Sequence, residues 1–437
     1  MATTYAESKL ADEMLRLIED LYPICRSITG DGVRQTLQRI RDLIPLTVHE
    51  VPTGTKVFDW TIPREWNIRD AYIKNSRGMP VVEFRKCNLH VLNYSAPVSA
   101  RMSLAELRPH LFTLPDHPEW VPYRTSYYVE RWGFCLSHRA LLELPEDEYE
   151  VLIDSSHTDG SLTYGEFYLP GRVPEEVLVS CHVCHPSLAN DNLSGVAVAT
   201  HVARLIQRWS NREYSYRFLF IPGTIGSITW LARNEEITPL IKHGLILSCV
   251  GDAGPCTYKR SRRGNAQIDR VAAHVLRHSH EAHSILDFTP YGYDERQYCS
   301  PGFNLPVGCF MRTPNGCYPE YHTSADNLQF VTADALEDSL KTILDVLSVV
   351  ETNRTYLNTN PKCEPQLGRR GLYSTVGGQT GDKSLEMAFL WVLNFSDGHC
   401  SLLDIAERSG LKFTVLREAA HRLEAAGLLT CLGRTSS

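Results

Sequence analysis

The chain has 437 residues and a formal net charge of −7, with 43% hydrophobic and 22% charged residues. That length is too great for one ordinary core and suits a soluble multidomain protein. The negative balance argues against a surface that coats nucleic acid, and no apolar run approaches the ~18 residues needed to span a bilayer.

The N-terminal stretch reads as an amphipathic helix with acidic residues inside it. It lacks a basic segment followed by an apolar one, so it does not read as a signal peptide, and a cytoplasmic location is expected. The thirteen cysteines are scattered. In a reducing compartment they should be mostly free, buried thiols.

Helical periodicity runs through residues 8–45, carried by Leu10, Met14, Leu17 and Ile18, then Leu37 and Ile40. Ser27-Ile-Thr-Gly-Asp-Gly32 between them is loop chemistry. From 56 to 168 the texture is that of a separate β-rich domain. Its short runs, such as Val81-Val-Glu-Phe84, Leu89-His-Val-Leu92 and Tyr149-Glu-Val-Leu-Ile153, are parted by Pro, Gly, Asn and Asp.

From about 174 strands and helices alternate. Glu176–Cys181, Arg217–Ile221 and Gly244–Val250 read as buried strands. Leu193–Trp209, Gly226–Asn234 and Gln267–Ala282 read as helices, and a further helix covers 332–352. This alternation predicts an α/β domain on a mainly parallel sheet with helices on both faces, assembled from 1–55 and 169–352. Residues 353–382 read as a polar linker and 383–437 as a small C-terminal domain.

In an open parallel sheet, ligands gather beyond the carboxyl ends of the strands. Three features fall there: Cys181-His-Val-Cys-His185 running into Asn190-Asp-Asn-Leu-Ser-Gly195, Gly251-Asp252, and the late loop Glu320-Tyr-His-Thr-Ser-Ala-Asp326. Imidazole and carboxylate are the usual ligands of hydrolytic zinc. Cys181-His-Val-Cys-His185 also matches the C-x-x-C-H pattern of c-type haem attachment, and its thiols suit a structural zinc. The missing export segment and the flanking Asn-Asp-Asn-Leu-Ser-Gly favour the hydrolase context.

These stretches resemble the M28-type zinc aminopeptidases. The chain is more closely similar to a bacterial aminopeptidase-like family with an inserted β domain and a C-terminal winged helix. Phe58-Asp-Trp-Thr-Ile-Pro-Arg-Glu-Trp-Asn-Ile-Arg-Asp70 and Tyr258-Lys-Arg-Ser-Arg-Arg-Gly264 add to the resemblance. It implies metal ligation by His182, Asp191, Asp252 and His322, with Asp191 in the place of a bridging carboxylate. Tyr321 resembles a tyrosine that bonds the oxyanion. His185 has no counterpart in that pattern and competes with His182 as a ligand. The resemblance also implies biosynthetic roles in surface-polysaccharide or natural-product pathways.

The sequence departs from the M28 pattern where two adjacent glutamates, a general base and a second-metal ligand, would follow the second strand. Gly223 and Thr224 stand there. One zinc is therefore expected rather than two. Loss of a general base typically removes roughly 10²–10⁴-fold in rate, so Glu295 and Glu320 are the candidates to replace it. Cys184 stands where the pattern has an aspartate that orients the first histidine. Arg260, Arg262 and Arg263 are candidates for binding an acidic substrate group, since arginine binds carboxylates bidentately.

Residues 383–437 resemble a winged helix. They carry six Lys or Arg (383, 408, 412, 417, 422, 434) and six Asp or Glu (386, 397, 404, 407, 418, 424), a balance of zero. A DNA reader should be basic. A protein contact or homo-oligomer is expected instead. The readings that follow are a metal-dependent hydrolase of a peptide or amide bond in a small amino-acid-like substrate, a catalytically impaired metal- or ligand-binding relative, and a ligand-sensing DNA-binding regulator.

Overall fold

The computed structural model describes residues 2–372 and 383–433. The chain divides into two compact units, one of residues 1–269 and 282–343 and the other of 270–281 and 344–437.

The first unit is built on an eight-stranded sheet. In chain order its strands are β1 (Thr47–Pro52), β2 (Ser161–Leu169), β3 (Glu176–His182), β4 (Ser215–Ile221), β5 (Ile241–Leu247), β6 (Cys256–Lys259), β7 (His283–Leu286) and β8 (Val307–Met311). Their spatial order is β1-β2-β4-β3-β5-β8-β6-β7. The four central strands β4, β3, β5 and β8 run parallel; β1 is antiparallel to β2, β2 to β4 and β6 to β8, while β7 runs parallel to β6. Every residue of β3 and β4 is buried, which is why these strands read as continuous apolar runs rather than as alternating ones. Helix α1 (Gly195–Ile206) follows β3, and helix α2 (Ile225–Arg233) follows β4. The readings of β3, β4, β5, α1 and α2 agree with the structure to within a few residues.

The inserted segment forms a four-stranded antiparallel sheet in the order Pro80–Glu83, Glu65–Lys74, Glu148–Thr158, Val98–Ser103. Ala71, Ile73, Phe134, Tyr149, Val151 and Ile153 form its own core. β2 lies inside the stretch read as the insertion, 56–168, yet pairs with β1 and β4 of the large sheet. The sheet change therefore falls at the turn before Ser161. Arg34 pins the base of the insertion. Its guanidinium donates to both oxygens of Glu65 at 2.7 Å, and to Glu50 of β1 at 2.8 and 3.1 Å.

The second unit contains helices Lys383–Phe395, Leu402–Ser409 and Phe413–Ala425 and a three-stranded sheet in the order Asp397–Ser401, Thr355–Asn358, Leu429–Gly433. Thr355–Asn358 lies in the stretch read as a linker, and it is the central strand. Residues 373–382 of that stretch lie outside the described residues. Ser401 and Asp404 close a capping box on the helix Leu402–Ser409.

Candidate metal centre

His182 is the last residue of β3, opposite Ile221 of β4. The chain then makes an irregular turn over Ala189–Ser194 before α1 begins at Gly195. Two asparagines anchor this turn to the segment after β5. Asn192 Oδ1 accepts from the Cys249 N–H at 3.1 Å and its Nδ2 donates to the Leu247 carbonyl at 3.0 Å. Asn190 Oδ1 accepts from the Gly251 N–H at 2.8 Å. Gly195 is required by close approach, since a Cβ there would lie 2.4 Å from Asn192 Oδ1 and 2.6 Å from the Leu247 carbonyl oxygen. The carboxylate of Asp326 accepts from the N–H groups of Asn190 and Asp191 at 2.6 and 2.9 Å. Its burial raises its own pKa to about 7.

This scaffold presents Asp191 to three imidazoles. His182 Nε2 lies 2.8 Å from Asp191 Oδ1, while His185 Nδ1 and His322 Nε2 lie 3.2 and 3.0 Å from Oδ2. His182 and Asp191 are wholly buried, and the His322 side chain keeps 33% exposure, so the centre opens at that side. Burial pushes the pKa of His182 down to about 4 against the opposing pull of Asp191, and it lowers that of His322. Burial works against the Asp191 carboxylate, but the three histidines outweigh it and hold its pKa well below the usual range. The result is neutral imidazoles at His182 and His322 beside an ionised carboxylate.

Asp191 Oδ2 and His322 Nε2, although 3.0 Å apart, each lack a hydrogen-bond partner of acceptable geometry. Buried polar atoms are seldom left in that state. A cation among the imidazoles and the carboxylate removes the anomaly, and His182, His185 and Asp191 are close enough together to share one. The donor set thus fits a metal ion.

The neighbours of this cluster come from across the first unit. Arg26, wholly buried, donates to the carbonyls of His185, Pro186 and Leu21 at 2.6, 3.1 and 2.6 Å and so fixes the histidine loop. Tyr123 of the insertion lies against both His185 and His322, with ring centroids 5.1 and 5.0 Å away. Its N–H donates to the His322 carbonyl at 2.7 Å. His322 itself is left-handed at φ 56°, a conformation costing of order 1–3 kcal/mol that persists only where the surroundings hold it.

Tyr293 completes the wall. Its ring stacks on His182 at 3.7 Å, and its hydroxyl lies 3.1 Å from His185 Nε2 and 3.5 Å from Cys184 Sγ. The loop carrying it is tied down behind. Buried Glu295 pairs with Lys259 and accepts from the Tyr293 N–H at 3.0 Å, and Asp294 accepts from Ser227 at 2.9 Å. Periodicity gave no warning of Tyr293, which sits in an irregular loop. The available signal was Gly223: a missing side chain in a buried site implies that something else fills the space.

The other expected residues fall as follows. Tyr321 stacks on His322 at 4.0 Å, and burial together with the Asp191 charge raises its phenol pKa. The Glu320 carbonyl accepts from Thr323, closing the turn that carries His322. Glu295 lies behind Tyr293, its carboxylate engaged as described. Asp252 accepts from Gly254 N, Thr313 Oγ1, Asn190 Nδ2 and Thr313 N at 2.7, 2.6, 3.0 and 3.2 Å. It reaches the cluster only through Asn190. Arg260 pairs with Asp287, Arg262 bonds the Asn304 side chain and Arg263 the Asn304 carbonyl. The bonds of these three arginines do not run to the cluster, whereas Lys259 of the same basic run is the one turned inward. Cys181 and Cys184 are buried and free, as is every other buried cysteine among the described residues.

Residues 15–353 match the domain described as Domain of unknown function, DUF4910, and residues 354–431 match a winged helix-turn-helix domain. The chain belongs to the DUF4910 family. A Clostridium acetobutylicum protein named for polysaccharide biosynthesis and an aminopeptidase-like domain is 54% identical, over 97% of both chains. A crystal structure of a C. acetobutylicum protein described as a peptidase superposes with a TM-score of 0.93 at 53% identity, covering 98% of this chain and 97% of the other. The zinc aminopeptidase BSAP of Bacillus subtilis aligns with a TM-score of 0.57 at 13% identity, over 78% of this chain and 95% of the other. A peptidase M28 precursor of Shewanella amazonensis gives 0.55 at 14%, over 79% and 96%. This DUF4910 chain therefore has the M28-type aminopeptidase fold, a mixed α/β core on a large sheet, followed by a winged-helix domain.

Proposed function

We propose that this chain is a zinc-dependent hydrolase of a peptide or amide bond in a small amino-acid-like substrate, with a mononuclear centre on Asp191. The observation that carries the reading is the convergence of His182, His185 and His322 on one buried carboxylate with two unsatisfied donor atoms. A zinc ion held there supplies Lewis-acid polarisation of a carbonyl. Tyr321 and Tyr123 flank the exposed side at His322 and are the groups available to orient a substrate. The burial of the centre beneath the insertion favours a small substrate. One ion rather than two is supported by Thr224, a neutral hydroxyl in place of a carboxylate ligand, and by the Tyr293 ring against the neighbouring Gly223. The identity to the C. acetobutylicum relative supports a place in polysaccharide biosynthesis, and the zero charge balance of the winged helix favours protein contacts over DNA for that domain.

The second reading, a catalytically impaired metal-binding relative, draws on Gly223. No side chain at that position can move a proton, and the Tyr293 ring occupies the space. The deciding experiment measures hydrolysis of a panel of aminoacyl and acyl amides by zinc-loaded and chelator-stripped protein. Zinc-dependent turnover in the native chain supports the hydrolase. Turnover found only in a Gly223→Glu/Tyr293→Ala double variant, which restores both the acid and its space, supports the impaired relative.

A further inference from the structure

The three imidazoles around Asp191 are not equivalent. The side-chain amide of Asn192 is oriented by the backbone, because its Oδ1 must accept from the Cys249 N–H and its Nδ2 must donate to the Leu247 carbonyl. The end that faces His182 is therefore the Nδ2 donor, 3.3 Å from His182 Nδ1. Two N–H groups facing at that distance repel, so His182 carries its lone pair on Nδ1 and its proton on Nε2. Nε2 gives that proton to Asp191 Oδ1 at 2.8 Å. The lone pair of His182 thus points at Asn192, away from the carboxylate, and its ring face is covered by Tyr293.

Asp252 is spent in a similar way. Four donors reach its two oxygens, which fills the lone-pair sites a carboxylate offers. The atoms that remain around the carboxylate are Asp191 Oδ2, His322 Nε2 and His185 Nδ1, the last of which also lies 3.2 Å from the Asp191 carbonyl oxygen. The first two are the unsatisfied pair. The third has a partner on its far side, because His185 Nε2 faces the Tyr293 hydroxyl at 3.1 Å. A hydroxyl accepts as readily as it donates. His185 Nε2–H can donate to Tyr293, Tyr293 to Cys184 Sγ, and Cys184 to the Gly223 carbonyl at 3.6 Å. In that tautomer the Nδ1 lone pair faces two oxygens at 3.2 Å, the Asp191 carbonyl and Oδ2, an arrangement that a cation between them relieves.

Building on the metal-site reading above, we infer that the metal ligands of this chain are His185 through Nδ1, Asp191 through Oδ2 and His322 through Nε2, with His182 and Tyr293 as positioning residues. Three protein ligands is the count of a catalytic rather than a structural zinc. His182 holds the Asp191 carboxylate by its other oxygen. Tyr293 receives the second N–H of His185, the role that a carboxylate or carbonyl commonly plays behind a ligating histidine. The strand-end histidine has thus moved outward by one sphere, and the histidine three residues later has taken its place.

The test reads zinc per chain and zinc affinity by competition with a chromogenic chelator, with the absorption spectrum of the cobalt-loaded protein as a second readout. The full-length chain is compared with His182→Gln, His185→Gln, His322→Gln and Tyr293→Phe. Expected are one ion in the native chain, none retained by the His185 and His322 variants, and one ion with affinity lower by about 10–100-fold in the His182 and Tyr293 variants. The cobalt spectrum should keep its form in His182→Gln. Loss of the ion from His182→Gln, or its retention at native affinity by His185→Gln, overturns the assignment. If His185→Gln does not fold, Tyr293→Phe decides. It preserves the ring on His182, so unchanged affinity overturns the role given to His185. A native chain that binds no zinc overturns the metal reading itself, a result distinct from a native chain that binds zinc through other residues.

Discussion

A Cβ on Gly223 would stand 2.0 Å from Cε1 of Tyr293 and 2.8 Å from its hydroxyl. The two residues therefore exclude one another: a side chain at 223 and the tyrosine ring cannot share the site. Gly223→Ala should displace the ring and cost about 1–3 kcal/mol, the usual range for overpacking. In a Tyr293→Ala background the same change should cost almost nothing. Urea unfolding of the four proteins forms a double-mutant cycle. Additive costs would show that the backbone at 223, and not the ring, sets the requirement for glycine.

Arg26 uses three of its nitrogens on carbonyls of two separate segments, the end of the first helical stretch and the His185 loop. Lysine cannot reproduce that fork. Arg26→Lys should destabilise the protein by about 2–4 kcal/mol, because buried carbonyls lose their donors. It should also weaken zinc binding by loosening His185. Equal zinc affinity in the variant and the native chain would confine Arg26 to a purely structural role.

The tie between Arg34 and Glu65 has a defined pH signature. The Arg34 hydrogen bonds lower the Glu65 pKa from 4.5 to about 2, against the opposing effect of burial, and they lower that of Glu50 as well. A depressed carboxylate pKa gives stability that is complete above the unfolded value and disappears as pH falls through the folded one. The Tm difference between native protein and Arg34→Met should therefore stay constant from neutral pH down to about 5. It should shrink between about 4.5 and 2, where Glu65 becomes protonated in turn in the unfolded and folded chains. A difference that grows on acidification contradicts the assignment.

Within the C-terminal unit, Arg270 is bound to Asp404 and Glu407 of the helix Leu402–Ser409. The contact neutralises two acidic side chains of the winged helix but adds no free basic side chain to a segment whose own charge balance is zero. Binding to random duplex DNA should accordingly be weak and nearly independent of salt. Steep loss of binding between 50 and 200 mM salt, roughly the 10³–10⁵-fold shown by proteins with many phosphate contacts, would restore the DNA-binding regulator as a reading.

The sequence made the parallel core legible because burial on both faces writes an uninterrupted apolar run, as in Glu176–Cys181 and Arg217–Ile221. It made His182, His185, Asp191 and His322 legible as a group because their residue types fall where strands end. It was silent on β2, whose partners β1 and β4 lie far away in the chain. Thr355–Asn358 was hidden for another reason: four residues in a polar stretch are too short to show a period. The choice between His182 and His185 depends on which way one asparagine amide is turned. Two backbone groups set that orientation, and no local pattern encodes it. Tyr293 escaped for a related reason, since its loop is held by Lys259, Ser227 and Glu295 rather than by any repeat.

The stitch between Tyr123 and the carbonyl of His322 also has a bearing on how this protein can change. Val121 and Ser324 extend it with backbone and side-chain bonds at 2.8 and 2.9 Å. The part of the insertion that lies against the cluster and the loop bearing His322 are therefore one piece of material. Tilting the insertion to admit a bulkier molecule would drag His322 with it. Relatives that accept different substrates should accordingly differ in the size of side chains such as Tyr123 and Tyr321, and not in the angle at which the insertion stands.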